Sequence, residues 1–294
     1  MQRFTDGLER SEAVDAVGGP VHNLAINLIR NGDFKDALSG TWLGHPLHPL
    51  MVAVPIGSWI SASVLDLTPG DSTVAARRLI AFGALSALPT ALAGVSDWSD
   101  TSGAEQRVGA LHAGLNLVAV GLYGGSWVRR RKSSGSKSSR AGTLLALAGG
   151  AFMGAAGYLG GHLAYSLGVG TDTNAFQTGP QRWQVVCGEI LVKDGSPHAV
   201  SAAGVSLLLL EQEGRVHVLA NRCTHRGAPL SEGEVGRGCI TCPWHGSVFD
   251  LESGAVRRGP ATQPQPVYEA RVVDGDIEVR RVEPRSLRTN CVGA

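Results

Sequence analysis

The sequence predicts an α+β multidomain protein with an N-terminal four-helix transmembrane bundle and a C-terminal all-β domain. The N-terminal part contains four apolar stretches that are nearly free of charged side chains, whereas the last third alternates short apolar segments with Gly, Pro and Asp-Gly turns. A chain of 294 residues is long enough for two domains of ordinary size. Charged residues form only 17% of the chain and glycine occurs 40 times, a composition typical of membrane helices that pack through small residues.

The overall charge argues against one class of partner. The 26 basic and 25 acidic residues nearly cancel, so the chain has no basic field that would attract nucleic acid. We therefore expect no nucleic-acid partner. The first residues mix acidic and basic side chains without an apolar run, which is not the pattern of a cleaved secretory signal.

The helical part follows a polar, weakly amphipathic segment at residues 1–44, in which we predict one short surface helix near residues 21–29. The predicted bundle occupies residues 45–168. A spanning helix needs about 20 apolar residues, and three of the four stretches approach or exceed that length. Membrane lipid is therefore an expected partner. The stretches are residues 47–66, 79–95, 109–128 and 142–168.

Basic residues between the stretches predict the orientation of the bundle. Four spans place residues 67–78 and 129–141 on one side, and these loops carry most of the basic residues near the spans. Because basic loops remain in the cytoplasm, we expect a multi-pass protein of the bacterial cell membrane with its C-terminal domain on the non-cytoplasmic side. The arginine run at residues 129–131 is similar to an internal twin-arginine signal for folded domains, but it also fits an ordinary cytoplasmic loop.

A polar linker at residues 169–180 separates the bundle from the predicted all-β domain at residues 181–283, and a tail follows at residues 284–294. Segments rich in β-branched residues alternate with tight turns, as expected for a small barrel or sandwich. The predicted strands lie within residues 205–212, 214–222, 247–253, 266–275 and 276–283.

Two pairs of side chains in the β domain have the spacing of metal ligands. His225 follows Cys223 after one residue, and His245 follows Cys242 after two residues. Thiolate and imidazole are ligands of zinc and of some iron–sulfur clusters. A structural zinc site is one interpretation, although the Cys-x-His spacing is not usual for zinc fingers.

The two segments, Cys-Thr-His-Arg-Gly at residues 223–227 and Cys-Pro-Trp-His-Gly-Ser at residues 242–247, resemble both ligand motifs of Rieske domains. The resemblance covers residues 181–283. It implies a [2Fe-2S] cluster in which two thiolates bind one iron and two imidazoles bind the other. It also implies an electron-transfer component rather than a complete enzyme. The implied ligands are Cys223, His225, Cys242 and His245.

This sequence departs from the quinol-oxidising branch of the Rieske family. Ala228 and Trp244 stand where that branch has two cysteines that form a disulfide, and Phe249 replaces a tyrosine that donates to a ligand sulfur. Ser247 remains as a hydroxyl donor near the cluster. Fewer hydrogen bonds to sulfur lower the reduction potential, so the resemblance implies a ferredoxin-like member of the family.

We therefore expect single-electron transfer between a donor and an acceptor that the sequence does not identify, either redox proteins or a quinone. One alternative is a Rieske subunit of a quinol-oxidising membrane oxidoreductase, which the predicted bundle permits. Another is a ferredoxin component of an oxygenase system. A redox or iron sensor is a further alternative, for which the sequence shows no output motif.

Four histidines lie in or beside the predicted spans, all toward the side of the C-terminal domain. The segment at residues 44–50, which contains two of them, resembles a bacterial four-span membrane family found in front of Rieske domains. Histidine is costly in lipid unless it faces the bundle interior, a ligand or the interface. A b-type haem or a metal is one interpretation, and interface positions or a quinone contact are the others. The four are His45, His48, His112 and His162, of which the last three are candidates for an axial haem pair.

Overall fold

The structure, a computed structural model, divides into two compact units, Met1–Thr171 and Asp172–Ala294, which we call the helical unit and the β unit. The tail predicted at residues 284–294 lies outside the residues that the structure describes. The described residues are 2–30, 32–68, 72–132 and 140–281.

The described helices of the helical unit are α1 (Gln2–Glu9), α2 (Ala13–Leu28), α3 (Asp33–Ser39), α4 (Leu47–Met51), α5 (Ala53–Leu67), α6 (Thr73–Trp98), α7 (Gly103–Lys132) and α8 (Arg140–Tyr165). Four segments, α4 with α5, then α6, α7 and α8, are long and apolar enough to cross a membrane, with mean hydropathies from 1.3 to 1.7. The predicted four-helix architecture is confirmed. Helix α6 begins six residues before the predicted stretch because Arg77 and Arg78 belong to the helix, whose ends can reach the water interface.

Three helices, α1 to α3, occupy the N-terminal segment, where we predicted one short helix. Ion pairs attach them to the bundle. Arg107 of α7 donates to both carboxylate oxygens of Asp15 at 2.6–3.0 Å, which holds the pKa of Asp15 below its ordinary value. Lys35 is buried and lies 2.9 Å from Asp100, whose side chain is only 9% exposed. The predicted helix near residues 21–29 is confirmed as the second half of α2, whereas α1, α3 and the first half of α2 were not predicted. Their partners in the bundle lie far apart from them in the sequence, where local periodicity carries no signal.

Two helical hairpins, α5 with α6 and α7 with α8, form the bundle and use the same packing arrangement. Trp59 of α5 lies against Gly83 of α6, where a Cβ atom would come within 2.4 Å of the indole nitrogen. Tyr123 of α7 lies against Gly149 of α8, where a Cβ atom would come within 3.0 Å of the ring. Each ring therefore fills a notch that a glycine leaves open.

Arg130 belongs to α7 and its side chain is buried, although its position in the sequence suggested a basic loop. Its guanidinium donates to Asp66 of α5 at 2.7 Å, and the two side chains are 0% and 3% exposed. Arg129 and Arg131 are exposed. One of the charges on which the predicted orientation depends is therefore neutralised within the bundle.

The described strands of the β unit are β1 (Gln184–Gly188), β2 (His198–Ala202), β3 (Val205–Gln212), β4 (Arg215–Ala220), β5 (Glu234–Gly236), β6 (Cys239–Thr241), β7 (Val248–Asp250), β8 (Val256–Arg258), β9 (Val267–Val273) and β10 (Asp276–Arg281). They form an antiparallel six-stranded sheet in the order β1-β10-β9-β4-β3-β2 and an antiparallel four-stranded sheet in the order β5-β6-β7-β8. The predicted all-β class is confirmed. The five predicted strands correspond to β3, β4, β7, β9 and β10, whereas β1, β2, β5, β6 and β8 were not predicted. Strands β5, β6 and β8 have only three residues each, too few for a periodic pattern. Strand β7 is equally short but lies within the longer predicted segment 247–253.

Candidate metal centre

The first candidate pair lies in the loop that follows β4. The backbone N–H of Cys223 donates to the carbonyl of Ala228 at 2.8 Å, and the N–H of Gly227 donates to the carbonyl of Cys223 at 2.9 Å. Gly227 has a φ of +80°, in the left-handed region that favours glycine. Two backbone hydrogen bonds and one glycine thus close this loop.

The second candidate pair lies in the loop between β6 and β7 and repeats this arrangement. The N–H of Cys242 donates to the carbonyl of Ser247 at 2.7 Å, and the N–H of Gly246 donates to the carbonyl of Cys242 at 3.1 Å. Gly246 has a φ of +70°. Both sequence motifs therefore fold into the same kind of turn, although different strands support them.

The four candidate side chains lie close together. Cys223 and Cys242 are 1% and 3% exposed, and their thiols share a hydrogen bond. This bond lowers the pKa of Cys242 to about 7 and, together with burial, raises the pKa of Cys223. The rings of His225 and His245 have centroids 5.1 Å apart, and their Nδ1 atoms are buried while the residues remain partly exposed.

Backbone N–H groups surround both sulfur atoms. The N–H groups two and three residues after Cys223 donate to its sulfur, and the same relation holds at Cys242. Such hydrogen bonds stabilise the thiolate and lower a thiol's pKa. Both loops are therefore suited to negatively charged sulfur.

Similarity to known proteins agrees with this geometry. Residues 182–269 match the family model described as Rieske [2Fe-2S] domain. Ferredoxin CarAc of Metapseudomonas resinovorans is 32% identical over 100 residues, which cover 94% of that ferredoxin and 34% of this chain. The chain belongs to the Rieske [2Fe-2S] family. The ferredoxin component of the naphthalene 1,2-dioxygenase system of Pseudomonas putida is also 32% identical, over 81 residues that cover 78% of that protein and 28% of this Rieske chain.

Other similarities concern single parts of the chain. Residues 44–173 match the family described as Predicted membrane protein (DUF2231). The proteins named apoptosis-inducing factor 3 of Mus musculus and Homo sapiens are 28% and 30% identical over 95 residues, which cover 32% of this chain. The matched segment spans only 16% of their length, so the similarity concerns one domain.

The Rieske family implies a [2Fe-2S] cluster, and the side chains fit one. Two buried thiols that share a hydrogen bond would form one ligand pair, and two imidazoles with buried Nδ1 atoms would form the other. Within the described part of the chain, no group of three or more His, Cys, Asp or Glu side chains is placed to hold a single metal ion. The family match together with the two Cys-and-His pairs favours a two-iron cluster over the zinc ion that the sequence also permitted.

Ser247 and Phe249 are the polar and apolar residues that the sequence placed near the cluster of the Rieske domain. Ser247 is fully buried, and its Oγ accepts a hydrogen bond from the N–H of Ala261 at 3.0 Å. Its own hydrogen can therefore be donated to another acceptor. Phe249 is fully buried in the same core cluster as Cys223 and Cys242. Their effect on the potential stays a prediction.

The side chains that hold the first ligand loop were not predicted from the sequence. Gln265 is 2% exposed and donates to the carbonyls of Ala220 and Arg222 at 2.6 and 2.7 Å. Thr173, from the predicted linker, donates to the carbonyl of Cys223 at 2.7 Å. No motif marks these positions, because each acts on backbone groups more than forty residues away.

The structure brings together two of the four candidate histidines of the helical unit. The rings of His48 and His112 have centroids 6.4 Å apart. The Nε2 atom of His162 instead lies 2.7 Å from Glu9, and His45 is exposed, with its Nδ1 bonded to the carbonyl of the next residue. Of His48, His112 and His162, the structure therefore places the first two next to each other.

Proposed function

We propose that this chain is a membrane-anchored Rieske protein that transfers single electrons. The observation that carries the proposal is the pair of matching loops, which bring two buried thiols and two partly exposed imidazoles together. Cys223 and Cys242 would bind one iron, and His225 and His245 would bind the other. When bound, the [2Fe-2S] cluster supplies a one-electron redox couple.

Residues of the Rieske domain would control this couple in three ways. Burial of both thiols keeps water away from the sulfur atoms. Backbone N–H groups at each sulfur stabilise negative charge and so contribute to the potential. The outer edges of His225 and His245 provide a path from the buried ligands to solvent, and the ring of Trp244 lies next to His245 with centroids 6.4 Å apart.

The proposed partner at these loops is another redox protein. Trp244 is 57% exposed, and a large exposed aromatic side chain beside an electron path is typical of a docking surface. The relatives from dioxygenase systems are named ferredoxin components, and an analogous carrier role is proposed here. The donor would be a redox protein or a quinone. A haem b in the bundle would add a second redox centre on the donor side, but the cluster does not depend on it.

The proposed location is the cell membrane, with the Rieske domain on the non-cytoplasmic side. Four apolar helical segments support insertion into the membrane. Arg77, Arg78, Arg129 and Arg131 support a cytoplasmic position for one end of these segments. Alkaline phosphatase joined after residue 281 should be active in intact cells, because that enzyme needs an oxidising compartment. Activity only of a cytoplasmic reporter at the same position would contradict this orientation.

Quinol oxidation is the second candidate function, and the apolar bundle favours it because quinols are soluble in lipid. Phe249 argues against it, since its ring cannot donate a hydrogen bond to a ligand sulfur. Quinol oxidation requires a high potential, whereas a ferredoxin-like domain should lie in the low half of the Rieske range of about −150 to +300 mV. A redox titration separates the two functions.

The decisive experiment is EPR spectroscopy of the full chain, purified in mild detergent and reduced with dithionite. We expect an average g below that of all-cysteine [2Fe-2S] clusters. Cys223→Ser should abolish this signal, whereas Cys187→Ser, which changes a cysteine of β1 outside the ligand loops, should retain it. Bound zinc without iron, or an unchanged signal in Cys223→Ser, would overturn the proposal.

A further inference from the structure

The two helical hairpins of the bundle are related by an internal repeat. Trp59 and Tyr123 are 64 residues apart in the sequence, and their rings stack with centroids 4.2 Å apart. Eleven residues before each of these aromatic residues lies a histidine, His48 and His112 respectively. These two rings also meet, with centroids 6.4 Å apart and planes at 82°. The two histidines are therefore an equivalent pair between the hairpins.

The helix that follows in each hairpin holds its histidine in the same way. The Nδ1 atom of His48 lies 2.9 Å from the carbonyl oxygen of Thr90. Four residues further on, Gly94 makes room for the ring, because a Cβ atom there would lie 2.8 Å from Cε1 of His48. His112 repeats both contacts, at the carbonyl of Ala156 (2.8 Å) and against the glycine four residues further on (3.1 Å).

These contacts determine the tautomer of both rings. A carbonyl oxygen can only accept a hydrogen bond, so Nδ1 carries the proton and Nε2 presents a lone pair. Histidines that bind metals show the same pattern, with the second ring nitrogen donating to a carbonyl or carboxylate. Asn116 donates to Nε2 of His112 at 3.1 Å and to the carbonyl of His112 at 3.0 Å. A metal ion at Nε2 of His112 could replace the hydrogen bond from Asn116 to that nitrogen, while the bond from Asn116 to the carbonyl remains.

The number of available ligands indicates which metal centre fits. Over the described residues, no third His, Cys, Asp or Glu joins the pair. A bare zinc or copper ion usually takes three or four protein ligands, whereas haem iron receives four nitrogens from its macrocycle and, in a six-coordinate low-spin haem, takes two axial ligands from the protein. Two imidazoles that share one metal through Nε2 at about 2.0–2.1 Å have ring centroids about 6 Å apart, close to the distance in this bundle. We propose that His48 and His112 are the axial ligands of a b-type haem.

The test uses the full chain in mild detergent, titrated with hemin. We expect one haem per chain with the sharp α-band of a reduced low-spin haem b. His48→Gly and His112→Gly should each weaken haem binding at least tenfold. Free imidazole added to either glycine variant should restore the band, which separates the loss of a ligand from the loss of the fold. His162→Ala is the matched control and should retain the band, because that histidine pairs with Glu9.

Three results would overturn this inference. The first is a native chain that gives no low-spin haem spectrum after the titration. The second is an unchanged α-band in His48→Gly or His112→Gly. The third is a bare copper or zinc ion bound by both histidines in place of haem. The inference stands apart from the proposed cluster, because Cys223→Ser should remove the Rieske EPR signal and leave the haem band in place.

Discussion

The indole of Trp59 stacks on the phenol ring of Tyr123 with centroids 4.2 Å apart and planes only 8° apart. Both rings are buried, and each comes from the first long helix of a different hairpin. An aromatic pair of this kind contributes about 0.5–1.5 kcal/mol beyond the area that it buries. The stack therefore joins the two halves of the bundle, and the glycine notches behind the rings determine how closely the helices approach.

Substitution of Gly83 by alanine should destabilise the helical unit. The added Cβ would lie 2.4 Å from the indole nitrogen of Trp59, which overpacks the notch and should cost about 1–3 kcal/mol. Gly57→Ala is the control, because a Cβ added there would meet no atom within 4 Å and alanine favours a helix by about 1 kcal/mol over glycine. Thermal unfolding in detergent should show a lower Tm for Gly83→Ala alone. Equal Tm values for the two variants would contradict the packing.

Arg130 should be needed for stability, whereas Arg129 should not. Breaking a buried ion pair from one side leaves an uncompensated charge and costs about 3–5 kcal/mol, so Arg130→Met should lower the Tm strongly. Arg129→Met changes an exposed side chain and should have little effect. The double variant Arg130→Met with Asp66→Leu should recover most of the loss, because it removes both charges. If the double variant were as unstable as Arg130→Met, the ion pair would not explain the effect.

Long periodic segments allowed much of this architecture to be predicted from the sequence. The four apolar stretches and strands such as β3 carry patterns of eight residues or more, which tertiary context seldom overrides. Helices α1 and α3 were missed because polar contacts to distant residues, such as Lys35 with Asp100, stabilise them. The internal repeat was also detectable, since positions 48 and 59 recur 64 residues later as histidine and an aromatic residue. Only the structure, however, shows that the two histidine rings lie next to each other and that the two aromatic rings stack.

The ligand motifs of the Rieske domain could be found from the sequence because each is a short continuous segment. The residues that support these ligand loops could not be found in this way. Gln265 lies forty-two residues after Cys223 and its side chain bonds only backbone groups, the carbonyls of Ala220 and Arg222 and the N–H of Thr224, so neither its residue type nor its neighbours mark it. Physical reasoning identifies such residues only after the loops have been located.

Gln265→Leu should loosen the first ligand loop. It removes three side-chain hydrogen bonds, two to buried carbonyls and one from the backbone N–H of Thr224, and should cost about 1–3 kcal/mol for each group left without a partner. The purified variant should contain less iron per chain and lose it faster to a chelator. Gln212→Leu, at the end of β3, is the control and should keep its iron. Iron retention equal to that of the native chain would show that the loop holds its shape without Gln265.

Asp250 should make the Rieske domain sensitive to acid. Hydrogen bonds from Arg257 and Ser253 hold the pKa of Asp250 well below its ordinary value. A carboxyl group with a depressed pKa stabilises the fold above the unfolded pKa of about 3.9 and loses this effect as the pH falls through the folded pKa. Asp250→Asn should therefore cost about 1 kcal/mol or less at pH 7, because the pair is partly exposed.

The measurement for Asp250 is urea unfolding followed by tryptophan fluorescence between pH 7 and pH 3. The gap in stability between the native chain and Asp250→Asn should be constant above about pH 5 and should narrow below about pH 4. Asp274→Asn, which changes an exposed turn residue, is the control and should show no gap. A gap that widened on acidification would have the wrong sign for this pKa shift.

Ser247→Ala should lower the potential of the Rieske cluster. The buried Ser247 hydroxyl accepts a hydrogen bond from the N–H of Ala261, so its own hydrogen can be donated to another acceptor. A hydrogen bond donated to a sulfur atom of the cluster site would stabilise the more negative reduced state. One hydrogen bond of about 0.5–1.5 kcal/mol corresponds to about 20–60 mV for one electron. An EPR-monitored redox titration should detect this decrease, with Ser201→Ala on the exposed face of β2 as control. Phe249→Tyr adds a hydroxyl and should shift the potential upward. If Ser247→Ala and Phe249→Tyr changed the potential in the same direction, packing rather than hydrogen bonding would set the potential.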